Sequence, residues 1–186
     1  RSSAASDVYK RQGLADAFDE TKSAWETEYL ELKTVLTPEE YAAARASTLN
    51  AHYTQPIVIE SMYQALENLG FTKGNILEPS MGVGNFFGML PEKLNQSKLY
   101  GVELDSISGR IAKLLYPDAN IQIKGFEKTD YPNDFFDVAI GNVPFGAYKV
   151  NDRQYDRYNF MIHDYFLAKT IDQLRPGGVA ALVTTK

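Results

Sequence analysis

The sequence contains no cysteine, which excludes disulfides and cysteine-ligated zinc. It has no apolar run long enough to span a bilayer, so the expectation is a cytoplasmic protein. Positive charge is also scarce: 19 Lys and Arg stand against 24 Asp and Glu, a formal net charge of −5. A chain this acidic is not expected to hold duplex DNA unaided, because phosphate contacts supply most non-specific affinity. What is present suits a globular protein, with 44% hydrophobic and 12% aromatic residues among 186. That length allows one domain with a real core plus an appendage.

The most informative stretch runs from Phe135 to Gly146. Phe136 to Ile140 is a short apolar run with β-branched residues, bounded by Asp134 and Gly141, and reads as a buried strand. Pro144 has no N–H to give a ladder. Asn142, Val143, Pro144 and Phe145 therefore read as a stiff turn at a strand's carboxyl end, the edge where open α/β sheets bind ligands. Such a turn has a chemical use. An exocyclic amine on a nucleobase is a poor nucleophile because its lone pair is delocalised into the ring. Two acceptors aimed at its protons, the Asn142 side-chain oxygen and the Val143 carbonyl, favour the nucleophilic form and stabilise the charge that develops on nitrogen. Phe145 would stack on the base, worth ~1–3 kcal/mol in single-strand-type contacts. A plain strand-ending turn is the simpler alternative.

The rest of the chain gives that turn its context. Residues 1–12 resemble the translation of a sequencing-library adaptor and are expected to be a scar outside the fold. Residues 13–49 read as a helical N-terminal arm, with Phe18, Trp25, Tyr29 and Leu32 at helical spacing. Within it, Thr37-Pro38-Glu39-Glu40 is a helix start with a capping Thr and Glu three residues on. Residues 50–186 hold the motifs. Thr54 precedes an amphipathic helix stopped by Gly70 and can serve as its N-cap. Asn75 to Glu78 is a strand, followed by Pro79-Ser80-Met81-Gly82-Val83-Gly84 and a helix that Asn85 can cap. Strand, glycine loop and helix start form a nucleoside-binding geometry. The loop lacks the third glycine of the dinucleotide fingerprint and the Lys-Ser/Thr of a P-loop, which counts against NAD and ATP.

Glu103 ends the second strand ~20 residues later, the spacing at which a carboxylate accepts both ribose hydroxyls, and Leu104 would lie beside the base. After the Asn142 turn comes a loop in which Lys149, Arg153 and Arg157 alternate with Tyr148, Tyr155 and Tyr158. Lys149, Arg153 and Tyr155 are candidates for holding the phosphates of a flipped nucleotide, with a solvated loop as the alternative. His163 and Asp164 lack a visible third partner and are given structural roles.

Asn-Val-Pro-Phe at 142–145 and Glu-Pro-Ser-Met-Gly-Val-Gly-Asn-Phe at 78–86 resemble two motifs of the S-adenosylmethionine-dependent amino-methyltransferases of DNA. Those are Asn-Pro-Pro-Tyr/Phe and the Asp/Glu-Pro-x-x-Gly-x-Gly-Asn-Phe loop; Val143 departs from the first proline. Stretches at 49–54, 101–110 and 141–146 look like methylase regions of large mobile-element and phage proteins, which often carry a helicase region downstream. The resemblance implies a Rossmann-like class I methyltransferase sheet, α/β and largely parallel, with helices on both faces and truncated after its fifth strand. It implies S-adenosylmethionine as cofactor and transfer of its methyl to the adenine amine of DNA. DNA would be gripped mainly by regions missing here, with no membrane and no metal involved. Tyr53 and Thr54 would cover the cofactor's methionine end, with Glu78, Pro79, Ser80, Gly82, Gly84, Glu103 and Leu104 around the rest. Where the family has an acid and then a phenylalanine against the cofactor adenine, this chain has Gly125 and Phe126, so the resemblance implies that Phe126 keeps its contact while a carboxylate contact falls to Glu127 or is absent. Alternatives are cytosine, RNA or protein glutamine as acceptor, or a non-catalytic cofactor-binding module of a helicase protein.

Overall fold

Five apolar runs become the strands of one sheet, in a computed structural model that describes residues 18–50 and 54–184. The chain divides into two units, Arg1–Tyr53 and Thr54–Lys186. In the first, a single 3-10 turn at Ser23–Trp25 leads into α1 (Glu26–Val35), and α2 spans Pro38–Asn50. The capping box forms as expected. Glu40 donates its backbone N–H to the Thr37 hydroxyl at 3.2 Å, and Thr37 donates its own to the Glu40 carboxylate at 3.0 Å.

The second unit opens with α3 (Pro56–Asn68), whose apolar stripe buries Ile59, Tyr63 and Leu66. Its end is a Schellman turn: Phe71 donates to the Leu66 carbonyl and Gly70, at φ +88°, to that of Glu67. Then follow β1 (Asn75–Glu78), the single turn α4 (Asn85–Gly88), β2 (Lys98–Glu103), α5 (Ser106–Leu115), β3 (Asn120–Ile123), β4 (Phe136–Asn142), α6 (Ile162–Gln173) and β5 (Leu174–Val183). The order across the sheet is β3-β2-β1-β4-β5, every neighbouring pair parallel. β4 runs two residues further than its apolar run suggested, because β5 lies alongside and pairs with Gly141 and Asn142. Leu174 pairs with Phe136 and pairing resumes at Val179, so Arg175 to Gly178 bulge out of the ladder.

Successive strand residues face opposite sides, except that the register irregularity between Phe136 and Val138 puts these two on different faces. Ile76, Val138 and Ile140 pack on α3 with Phe86, whereas Leu77, Phe136 and Ala139 pack on α6 through Ile162, Tyr165 and Phe166. Each buried Ile, Val, Leu or Phe side chain among them contributes ~1.5–3 kcal/mol. The β1–β4 seam is stitched at its amino end. The Asn75 backbone N–H donates to the Asp137 carboxylate at 2.7 Å, the Asn75 amide donates to the Phe135 carbonyl at 3.1 Å, and Arg175 pairs with Asp137.

Candidate active site

Strand order reverses between β1 and β4: β1 leads on to β2 on one side, and β4 joins on the other. The crevice at the carboxyl ends of these two strands is the ligand site of such sheets. The glycine loop leaves β1 there and the Asn142 turn leaves β4 beside it. Their closeness depends on Gly141, where a Cβ would come within 3.2 Å of Glu78 Cγ and 3.6 Å of Pro79 Cδ. Gly82 and Gly84 take left-handed φ of +56° and +86°. A side chain at Gly84 would run into the Tyr116 ring, which meets Phe87 edge-on at 5.8 Å. At Gly82 nothing lies within 4 Å of a would-be Cβ, leaving room for a ligand against the backbone. Gly84, not Asn85, is the N-cap of α4, and no side chain caps that turn; the left-handed glycine replaces the expected Asn85 cap.

The loop is fastened to β2. Met81 donates its N–H to the Val102 carbonyl at 2.9 Å, and Gly82 donates to the Glu103 carboxylate at 2.7 Å. The other Glu103 oxygen accepts from the Asp105 N–H at 2.7 Å, while Asp105 itself caps α5 through Ser108. The Leu104 N–H also faces this carboxylate, so about one of its roughly four lone-pair positions remains for a ribose hydroxyl. Burial raises the Glu103 pKa in spite of these bonds. Glu78 is more extreme. It is 1% exposed, and its Oε2 has no hydrogen-bond partner among the described residues. Burial first, and then the nearby Glu103 charge, push its carboxyl well above the ordinary range.

Thr54 Oγ1 is likewise buried without a partner among the described residues. It does not cap α3, whose N-cap is Gln55 with no side-chain bond. A short turn joins α3 to β1, so the helix runs back along the strand and its start belongs to the carboxyl edge of the sheet. A buried carboxyl oxygen and a threonine hydroxyl without partners among the described residues, open space over a glycine and a carboxylate at the end of β2 fit a ligand with a cationic amino-acid end and a ribose.

The other expected residues divide. Tyr53 lies outside the described residues. Pro79 is buried and Ser80 half-buried in the loop, and Leu104 is 75% exposed one residue past Glu103. Phe126 is buried against Phe166, ring centroids 4.9 Å apart, so its ring belongs to the α6 core. The Glu127 carboxylate folds back onto Gly125 and occupies the place where a side chain at 125 would begin.

In the turn, Val143 is buried and donates its N–H to the Val183 carbonyl at 3.0 Å, Asn142 is half-buried, and Phe145 is 38% exposed. Beyond it Lys149 and Arg153 are exposed, but Tyr155 is not a surface residue. Its ring is in the core and its hydroxyl donates to Asp172 at 2.7 Å, which removes it from a phosphate-holding set. Sequence reading missed Asp152, Tyr165 and Lys169, which meet beneath this loop; they are spread over two elements and carry no local pattern. His163 and Asp164 are 3.4 Å apart and partly exposed on α6. Among the described residues there is no group of three or more metal-ligating side chains, and no helix long and apolar enough to cross a membrane.

This sheet and rim define the Rossmann-like fold of class I methyltransferases. Solved structures bear that out. The type I restriction-modification methyltransferase subunit from Streptococcus thermophilus superposes with a TM-score of 0.60 at 16% identity, over 89% of this chain and 43% of that one. A geranyl diphosphate methyltransferase in complex with its substrate and sinefungin gives 0.52 at 17% identity, over 79% and 51%. An S-adenosylmethionine-dependent O-methyltransferase from Thermotoga maritima gives 0.51 at 15%, over 72% and 46%. No protein-family model matches the chain. In sequence it is 34% identical over 146 residues to the defense against restriction protein B of Escherichia phage P1. The match takes in 73% of this chain but spans only 6% of that protein's length.

Proposed function

We propose that the chain transfers a methyl group from S-adenosylmethionine to the exocyclic amine of adenine in DNA. The observation that carries this reading is the closeness of β4 to Glu78 and Pro79 at Gly141, where an added Cβ would crowd Glu78, so that the amide-bearing turn and the glycine loop leave neighbouring strands at one edge. When bound, the cofactor would supply the methyl from its sulfonium, the sulfur leaving as a neutral thioether. Glu78 and Thr54 would hold its cationic amino-acid end, Glu103 its ribose, and Leu104 and Glu127 its adenine. The Asn142 side-chain oxygen and the Val143 carbonyl would accept hydrogen bonds from the two amine N–H groups of the target base. They stabilise the positive charge that appears as nitrogen attacks, and the spare proton then leaves to water. Phe145 offers a partly exposed ring for stacking, so the target base must leave its duplex to reach it. The likeness to a restriction-modification methyltransferase subunit and to a phage protein named for defense against restriction supports DNA as substrate.

The test is tritium transfer from labelled cofactor to DNA, RNA and protein side by side, with Asn142→Ala as control. DNA is expected to take the label, and the variant to lose about 10²–10³-fold in kcat. Label in RNA or protein alone would reassign the substrate; an Asn142→Ala variant as fast as the parent would end the assignment of that amide.

A further inference from the structure

A buried cation lies under the loop that follows the Asn142 turn. Lys169, in the middle of α6, is 6% exposed. Its ammonium donates to Asp152 Oδ2 at 3.0 Å and to the Thr129 carbonyl at 3.5 Å, and sits 5.2 Å from the centre of the Phe126 ring. The Tyr165 hydroxyl donates to the same Asp152 oxygen at 2.7 Å. Burial would raise the Asp152 pKa, but the Tyr165 and Lys169 hydrogen bonds outweigh it and hold it low. Two further ties join the loop to α6: the Tyr155 hydroxyl on Asp172 and the Ile162 N–H on the Tyr148 carbonyl. The loop's outer side is unlike its inner one. Lys149 and Arg153 are exposed, and the Arg157 guanidinium lies 4.7 Å from the centre of the Tyr158 ring, which stacks on Phe160 at 5.3 Å.

We propose that Lys169 is a positioning residue: with Asp152 and Tyr165 it latches the 147–159 loop to α6 and to the Phe126–Thr129 turn. The loop thereby presents Lys149, Arg153 and the Arg157–Tyr158 pair as a preformed face for the substrate's phosphates and bases. The substrate half of this inference rests on the function proposed above; the latch does not. A lone lysine in a core is costly unless paired, and here the pair joins two segments with no other reason to share a charge. Removing one partner leaves the other buried and unmatched, whereas removing both is far milder.

The loop carries its own reporters, since trypsin cuts after Lys149, Arg153 and Arg157. The measurement compares Lys169→Met, Asp152→Asn and the double variant with the parent 186-residue chain. Tryptic cleavage at those three sites is followed alongside thermal melting, cofactor affinity by calorimetry and steady-state methylation of a DNA oligonucleotide. Each single variant is expected to be cut there about tenfold faster or more, because cleavage tracks the open population of the loop. KM for DNA should rise by a similar factor, while kcat and cofactor affinity stay within about twofold. The double variant should regain most of the protection and the low KM. Cleavage unchanged in the single variants, or a double variant as labile as either, would overturn the latch. So would faster cutting at all tryptic sites alike with a matching fall in Tm, since that marks general destabilisation. If the parent methylates nothing, the proposed function fails and proteolysis still decides the latch.

Discussion

Glu78 is a costly residue to bury. Its carboxyl is fully buried beside Glu103, both titrate above the ordinary range, and one oxygen has no partner among the described residues. For an acid whose native pKa is raised, the folded chain holds protons that the unfolded chain releases. The stabilising effect is therefore complete below the unfolded value, near pH 4.3, and is lost as pH rises through the raised native values. Ligand-free protein should melt at a higher temperature at pH 5 than at pH 8, other groups being equal. Glu78→Gln removes the buried charge with little change of shape. The variant is expected to melt about 2–5 °C higher than the parent at pH 8, to lose most of that pH dependence and to bind S-adenosylmethionine more weakly. Melting curves at both pH values and calorimetry check this; equal cofactor affinity would take Glu78 out of the site. Glu103→Ala removes a charged acceptor from the ribose and loosens the loop at Gly82. It should lower cofactor affinity roughly 10–100-fold, and an unchanged calorimetric Kd would refute the assignment.

The glycine loop and the turn after β4 are held by different means. The loop depends on backbone freedom at Gly84, which combines a left-handed φ with the Tyr116 ring pressed against it. Gly84→Ala is expected to cost about 1–3 kcal/mol, most of it from strain at that position. A urea melt measures it, and a loss below about 0.5 kcal/mol would show that neither the backbone nor the Tyr116 ring resists a side chain there. The sequence showed most of these elements directly. Asn75–Glu78 and Lys98–Glu103 are strands over the spans their apolar patterns mark, because each is bounded by a polar or glycine break. Thr37 and Glu40 make the capping box their spacing implies. What stayed hidden was set by partners distant in the chain. β4 is lengthened by β5, Tyr155 is turned inward by Asp172, and Asp152 is matched by a lysine 17 residues away on another element. Asn85 shows the opposite failure, a strong local capping signal overridden by the left-handed glycine before it.

For the whole chain, alternation of strand and helix was enough to give a parallel sheet, and right-handed crossovers leave few ways to order it. The placing of β4 beside β1, on which the site depends, has no signature in either strand. That central seam has another consequence, in time instead of space. Asn75 is stitched to Asp137, 62 positions later. A chain leaving the ribosome amino end first can set β2 and β3 on one side of β1 while the other side still has no neighbour. At ~5–20 residues per second that wait lasts about 3–12 s. Throughout it the side of β1 that β4 will cover is a bare strand edge, open to pairing with the wrong neighbour.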